Sequence, residues 1–187
     1  MGRRGVALEP HSADALAALG WAYFGDRRYA DAIPIFQKAV AMTPDAAFPL
    51  WSLGYSQQVV GEPEAAVLTL RRAVEVTRRE HCFEIALLGG ALAASGHPDE
   101  ARVLLSELQD RGKRDYVPPF DLAWLYAALG DREEALTELE RAYQHRNGLL
   151  WARIHFPEFD PLLGEPRWKA LADKLAKTAP IKPFAGR

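Results

Sequence analysis

The side chains that could support acid–base, nucleophilic or metal chemistry are scattered along this sequence. Cys82 is the only cysteine, which leaves no intrachain disulfide and no cysteine metal cluster. No histidine lies four residues from another histidine or from the cysteine, the spacing that a helical metal site needs. The five histidines are His11, His81, His97, His145 and His155. We therefore expect no enzymatic activity, no metal and no cofactor.

Paired carboxylates are suited to general acid–base chemistry, and two such pairs stand out. Asp99-Glu100 and Glu133-Glu134 each fall in the first turn of a predicted helix. Carboxylates in the first turn stabilise the positive end of the helix dipole. We favour this structural role over catalysis. A phosphate-binding loop is also not expected, because such a loop follows a strand and no strand is predicted.

Composition narrows the class of partner. The chain has 187 residues, of which 49% are hydrophobic and 26% charged, with a formal net charge of −2. This balance provides no electrostatic attraction to nucleic acid or to an anionic membrane. The apolar run near the N-terminus is too short and too polar for an export signal. No stretch of the sequence approaches the roughly 18 apolar residues of a membrane-spanning helix. We expect a soluble, cytoplasmic protein without nucleic-acid or membrane partners.

The aromatic residues are the remaining candidates for binding, and a repeat determines where they lie. An alanine that opens a predicted helix recurs at intervals of 34, 35 and 34 residues. A Leu-small pair recurs in the same register, with glycine three times and alanine once. These columns are Ala32, Ala66, Ala101 and Ala135, and Leu19-Gly20, Leu53-Gly54, Leu88-Gly89 and Leu122-Ala123. Each unit is therefore predicted to be helix A, a tight turn, helix B and a short link.

Breaker residues mark the predicted turns between helices A and B. Gly61, Gly96 and Gly130 each follow a helix A, and Pro63 and Pro98 fall where helix B begins. Glycine commonly ends a helix, and proline is tolerated in the first turn of the next. Pro34 departs from this pattern because it lies inside the first helix B. We expect a kink or a late helix start there.

The spacing and residue types resemble the tetratricopeptide repeat (TPR). The first unit carries the resemblance best, through Leu19-Gly20, Tyr23, Tyr29, Ala32, Phe36, Ala39 and Pro44. Departures from the family pattern are Gln57, Leu108, Arg78 and Lys113. The resemblance covers about residues 13–143. It implies an all-α fold, a right-handed solenoid of antiparallel helix pairs, in which helices A line a concave groove.

The repeat also predicts the domain organisation. Residues 1–12 are interpreted as the stub of a preceding helix B, with an ordinary helix cap as the alternative. Four repeats follow at 13–46, 47–81, 82–115 and 116–146. Residues 147–177 are predicted to be a capping segment in which Trp168, Leu171 and Leu175 share one face. Residues 178–187 are predicted to be a disordered tail.

The capping segment resembles the ends of TPR segments in bacterial multidomain signalling proteins. The resemblance is carried by Pro157-Glu158-Phe159-Asp160-Pro161-Leu162 and Pro166-Arg167-Trp168. In those proteins the repeats follow a winged-helix DNA-binding domain, a nucleotide cyclase or a serine/threonine kinase. The resemblance implies that the chain is the regulatory or sensory arm of a larger signalling protein.

The family register implies which residues line the groove. The predicted groove residues are Asp14, Trp21, Phe24, Phe48, Trp51, Tyr55, Gly90, Phe120, Asp121 and Trp124. None is Lys or Arg, so a chaperone-type clamp on a C-terminal carboxylate is not supported. Trp21, Tyr55 and Trp124 share one column, which Gly90 interrupts. We interpret this surface as a site for a neutral or basic protein or peptide.

Alternatives to peptide binding remain open. The same aromatics could pack between neighbouring helices A and bind nothing. They could instead form a homo-oligomer interface across a two-fold axis. A small-ligand pocket at Gly90 is a third, more distant option.

Overall fold

The computed structural model describes residues 12–148, 150, 154 and 156–178. This part of the chain is all-α and contains no strand. Its α-helices are α1 (Ala13–Gly25), α2 (Tyr29–Met42), α3 (Ala47–Val59), α4 (Pro63–Val76), α5 (Cys82–Ala94), α6 (Pro98–Gly112), α7 (Pro119–Leu129), α8 (Arg132–Gln144) and α9 (Pro166–Thr178). A 3₁₀ helix at Pro157–Leu162 precedes α9. The predicted all-α helical-repeat class is confirmed. Helices α1, α3, α5 and α7 are the helices A of the repeats, and α2, α4, α6 and α8 are the helices B.

Small residues allow each helix A to approach its helix B. A Cβ added at Gly54 would lie 2.6 Å from Leu70 Cγ, and one added at Gly20 would overlap the Phe36 ring. The alanines that open the helices B, from Ala32 to Ala135, are fully buried. A larger side chain at either column would have to displace its neighbour, since protein interiors are close-packed.

The turns between helices A and B share a left-handed residue. Gly61, Gly96 and Gly130 have φ values of 88°, 83° and 81°. Arg27, at the same position of the first repeat, has a φ of 57°. Left-handed backbone is disfavoured for residues with a Cβ, so the first turn is less favourable than the other three.

Helix α2 runs through Pro34, and the predicted late helix start is wrong. The helix begins at Tyr29, five residues before the proline. Proline removes one backbone hydrogen bond. Ala32, Phe36 and Ala39 are fully buried on the opposite side of this exposed proline, and their packing holds the helix together.

The chain divides into two compact units between Glu107 and Leu108. In the first unit, each of α1 to α4 packs against the next helix in sequence, and α1, α3 and α5 also contact one another in order. The second unit contains α7, α8, the 3₁₀ helix and α9. Each unit is described separately below.

The C-terminal segment covers the last helix pair of the second unit. Phe159 and Leu162 of the 3₁₀ helix and Trp168, Leu171 and Leu175 of α9 are all buried. Thr178, predicted to begin the tail, is instead the last residue of α9. Ser12, predicted to end the stub, is the N-cap of α1. The rest of the predicted stub and of the predicted tail lies outside the described residues.

Candidate functional site

Charge is distributed unequally between the two kinds of helix. Helices A contain three charged residues, Asp14, Glu84 and Asp121, and no Lys or Arg. Helices B from the second repeat onward carry four or more charges each. Helices A therefore provide the apolar surfaces of this protein, and a partner bound there would be recognised mainly by apolar contacts.

Trp51 is the centre of an aromatic cluster in the first unit. Its ring centroid lies 5.3 Å from each of the rings of Trp21 on α1, Phe48 on α3 and Phe83 on α5. Trp51 itself is only 9% exposed, whereas Phe48 is 37% exposed and Trp21 and Phe83 are half-buried. We call these four residues the Trp51 cluster. It brings together side chains from three successive helices A at a partly open surface.

A hydrogen-bond chain holds the cluster in place. The Trp21 indole N–H donates to Ser52 Oγ at 2.8 Å, and Ser52 Oγ donates to the Phe48 carbonyl oxygen at 2.7 Å. Ser52 is fully buried. The serine therefore fixes the orientation of Trp21 against α3. The role of Ser52 depends on a contact with a residue 31 positions away and could not be found from periodicity.

Phe24 and Tyr55 are part of the core beneath the cluster. The Tyr55 ring stacks on Trp21 with centroids 6.3 Å apart and 15° between planes, and it lies 5.3 Å from Phe24. Both side chains are buried. The expectation that Tyr55 is an accessible anchor is corrected by this burial, because neighbouring helices A leave its ring almost no exposed surface.

Trp124, Phe120 and Asp121 in the second unit are also buried. Trp124 is 0% exposed, and its ring lies 5.8 Å from Phe156 and 5.9 Å from Phe159. Phe159 also contacts Phe120 at 5.8 Å. The segment after the last repeat therefore covers Trp124, which corrects the expectation of an accessible groove there. The contacts of Phe156 and Phe159 with Trp124 were not predicted. The three-residue spacing of these two phenylalanines, beside a proline, could have indicated a short helical turn with both rings on one side.

The predicted acidic and small groove residues differ in accessibility. Asp14 is exposed at the first helix A, whereas Asp121 and Gly90 are buried. The accessible negative charge on helices A of the first unit therefore comes from Asp14. Glu84, the other acidic residue there, is buried, with Oε1 3.3 Å from His81 Nδ1.

The described residues bring together no group of three or more His, Cys, Asp or Glu side chains that could hold a metal ion. Across the same residues, every helix falls short of the length and apolarity that a membrane span requires.

Comparison with known proteins agrees with the repeat pattern. The fold and the columns of small residues define a helical-repeat protein. Residues 13–46 match one model described as Tetratricopeptide repeat, and residues 86–107 and 120–141 match a second model with the same description. These three segments are therefore similar to tetratricopeptide repeats.

One curated relative is Superkiller protein 3 of Schizosaccharomyces pombe (strain 972). It is 30% identical over 82 residues, which are 44% of this chain and 6% of the relative. The chain thus spans only a small part of that protein. This relative is fungal, and the comparisons do not show the predicted resemblance to bacterial signalling proteins.

Solved structures share the fold. The MamA protein is similar with a TM-score of 0.51 and 24% identity, over 60% of this chain and 63% of that one. The APC/C hetero-tetramer Cut9-Hcn1 contains a chain similar with a TM-score of 0.60 and 18% identity, over 94% of this chain and 34% of that one. Both likenesses concern the fold, and tetratricopeptide repeats are generally protein-interaction scaffolds.

Proposed function

We propose that this chain is a protein-binding scaffold that takes a neutral or basic peptide segment on the Trp51 cluster. The observation that carries the proposal is Phe48, which is 37% exposed although it packs on a nearly buried tryptophan. Aromatic side chains dominate interface energetics, and an exposed ring on a rigid aromatic base loses little side-chain entropy on binding.

The chemistry of the surface defines the kind of segment that fits. The three helices A of the first unit present no cation, and Asp14 is their exposed charge. An acidic segment would find no partner for its carboxylates and would be repelled by Asp14. A segment with one or two apolar anchors beside Lys or Arg matches both features.

The experiment is a selection of random displayed peptides on the intact chain, followed by affinity measurements on the enriched peptides. We expect enrichment of apolar anchors flanked by Lys or Arg. Phe48→Ala is expected to weaken binding by about tenfold or more, the loss typical of a central interface aromatic. Leu68→Ala is the matched control, since Leu68 on α4 is 73% exposed and outside the cluster. Peptides that bind Phe48→Ala as tightly as the unmodified chain would contradict the proposal.

Self-association through the same cluster is the second candidate. A two-fold contact would bury the exposed Phe48 ring of one copy against that of another. Sedimentation over about a hundredfold range of concentration would then show a shift from monomer to dimer, by mass action. Phe48→Ala would remove the shift. A constant monomer mass would exclude this candidate and leave peptide binding.

We further propose that the chain is the regulatory or sensory arm of a larger bacterial signalling protein in the cytoplasm. Support comes from the resemblance of the segment Pro157–Leu162 and the start of α9 to TPR ends in such proteins. The reading frame around the encoding gene is expected to contain an effector domain. A frame that encodes helical repeats alone would contradict this placement.

A further inference from the structure

Five of the described arginines of the second unit fall into two groups. Arg132, Arg141 and Arg167 each pair with a glutamate. Among the described residues, the guanidinium groups of Arg114 and Arg146 form no ion pair and no hydrogen bond. Arg114 lies in the link between α6 and α7, and Arg146 lies in the turn after α8. Both residues are exposed.

A ring contact brings these two links together. Tyr116 and His145 stack with their ring centroids 6.4 Å apart and 21° between their planes. Tyr116 is 65% exposed, which is unusual for a large ring that already has a stacking partner. Arg114 precedes Tyr116 by two residues and Arg146 directly follows His145, so both arginines flank the stacked rings along the chain.

The charge of this edge is opposite to that of the whole chain. Residues 110–116 and 145–147 contain four Lys or Arg and two Asp, whereas the chain carries a net charge of −2. Lys113 donates a hydrogen bond to Asp110 at 2.7 Å, which neutralises that carboxylate. Asp115 is the remaining acid, against Arg114 and Arg146.

We propose that the edge formed by Arg114, Tyr116, His145 and Arg146 binds an acidic segment of a partner protein in which carboxylates flank an apolar or aromatic side chain. Guanidinium groups bind carboxylates through paired N–H donors, and the exposed Tyr116 ring offers a flat apolar contact. Nucleic acid fits less well, because the adjacent helix α8 carries four glutamates, which would repel a phosphate backbone that extends beyond the edge. This surface lies in the second unit and is independent of the Trp51 cluster.

The test uses a fluorescein-labelled heptapeptide with tryptophan at its centre and glutamate elsewhere, and measures its fluorescence anisotropy on the intact chain. We expect saturable binding that weakens with added salt. The same peptide with glutamine in place of glutamate is expected to bind at least about tenfold more weakly, since charged hydrogen bonds are lost. Labelled oligothymidylate is the nucleic-acid comparison.

Variants locate the site. Arg114→Gln with Arg146→Gln, and separately Tyr116→Ala, should each weaken binding of the acidic peptide by about tenfold or more while circular dichroism is unchanged. The matched control is Arg27→Gln with Arg78→Gln, two exposed arginines of the first unit whose removal changes the net charge equally. Equal loss in the control pair, no binding of the acidic peptide, or tighter binding of oligothymidylate that the edge variants abolish would each overturn the proposal.

Discussion

The indole N–H of Trp21 on α1 donates a hydrogen bond to the hydroxyl of Ser52 on α3 at 2.8 Å. This contact joins helices A of two successive repeats. A partly buried side-chain hydrogen bond between repeats restricts their relative orientation, which apolar contacts alone specify less tightly. The Trp51 cluster therefore presents a pre-formed surface, and its stability can be tested separately from its binding.

Ser52→Ala should lower the free energy of unfolding by about 1 kcal/mol, because it removes the acceptor of the Trp21 N–H. Urea titration followed by circular dichroism would measure the change. In Trp21→Phe the indole N–H is absent, so adding Ser52→Ala to that variant should cost clearly less. Equal costs in the two backgrounds would show that the hydrogen bond does not contribute to stability.

Arg27→Gly should stabilise the chain by about 0.5–1 kcal/mol. Arg27 has a φ of 57° at the turn position where the later repeats have glycine, and left-handed backbone is unfavourable for a residue with a Cβ. The larger entropy of an unfolded glycine offsets part of this gain. The reciprocal variant Gly61→Arg should be destabilised by a similar or larger amount. Melting temperatures that shift in the same direction in both variants would contradict the conclusion that this turn position favours glycine.

Ala66→Phe and Ala101→Phe should each cost about 1–3 kcal/mol, since both alanines are fully buried where helix B begins and a ring there overpacks the helix pair. Leu68→Phe, at an exposed position of α4, is the control for the added ring and should change stability little. Unchanged melting of both alanine variants would refute the repeat register.

Trp124→Ala should destabilise the second unit by about 3–5 kcal/mol, because the fully buried indole packs against Phe156 and Phe159. Phe48→Ala should have a much smaller effect on stability, since that ring is partly exposed. Denaturation curves for the two variants would separate a packing tryptophan from a binding phenylalanine. A Trp124→Ala chain as stable as the original would show that the C-terminal segment does not cover this ring in solution.

Acid should weaken the attachment of α9. Arg167 donates hydrogen bonds to Glu140 Oε1 and Oε2 at 3.0 and 2.9 Å, and these bonds hold the pKa of Glu140 below its ordinary value. A carboxyl with a depressed pKa stabilises the fold above its unfolded pKa, about 4.3, and loses that contribution as the pH falls through the folded pKa. The partly exposed pair contributes about 1 kcal/mol or less.

Glu140→Gln removes this titration, so its stability should fall less steeply between pH 5 and the acid limit than that of the unmodified chain. Glu134→Gln, on an exposed residue of the same helix, should leave the slope almost unchanged. Urea midpoints measured at several pH values would give the slopes. Identical slopes for the unmodified chain and Glu140→Gln would rule out this ion pair as a source of acid sensitivity.

Much of the fold could be predicted from the sequence because its determinants are local and periodic. The buried alanines from Ala32 to Ala135 and the glycines of helix A recur at a fixed interval. An amphipathic helix with a small residue at one position has few ways to pack against its neighbour. Of the two outcomes predicted at Pro34, a kink or a late helix start, the late start was wrong, because tertiary packing of Phe36 and Ala39 keeps the turn around the proline helical.

The candidate site depends on contacts between residues that the repeat pattern does not relate to each other. Trp21 and Trp124 occupy the same column, and the sequence treats them as equivalent. In the structure Trp21 is half-buried beside Ser52, whereas Trp124 is fully buried beneath Phe159. The accessibility of a ring depends on which other segments pack over its helix. Trp124 is covered by Phe159, which lies 35 positions later in a segment that does not follow the repeat. The sequence alone determined the repeat and the apolar character of helices A, and only the tertiary structure decided which aromatic rings remain accessible to a partner.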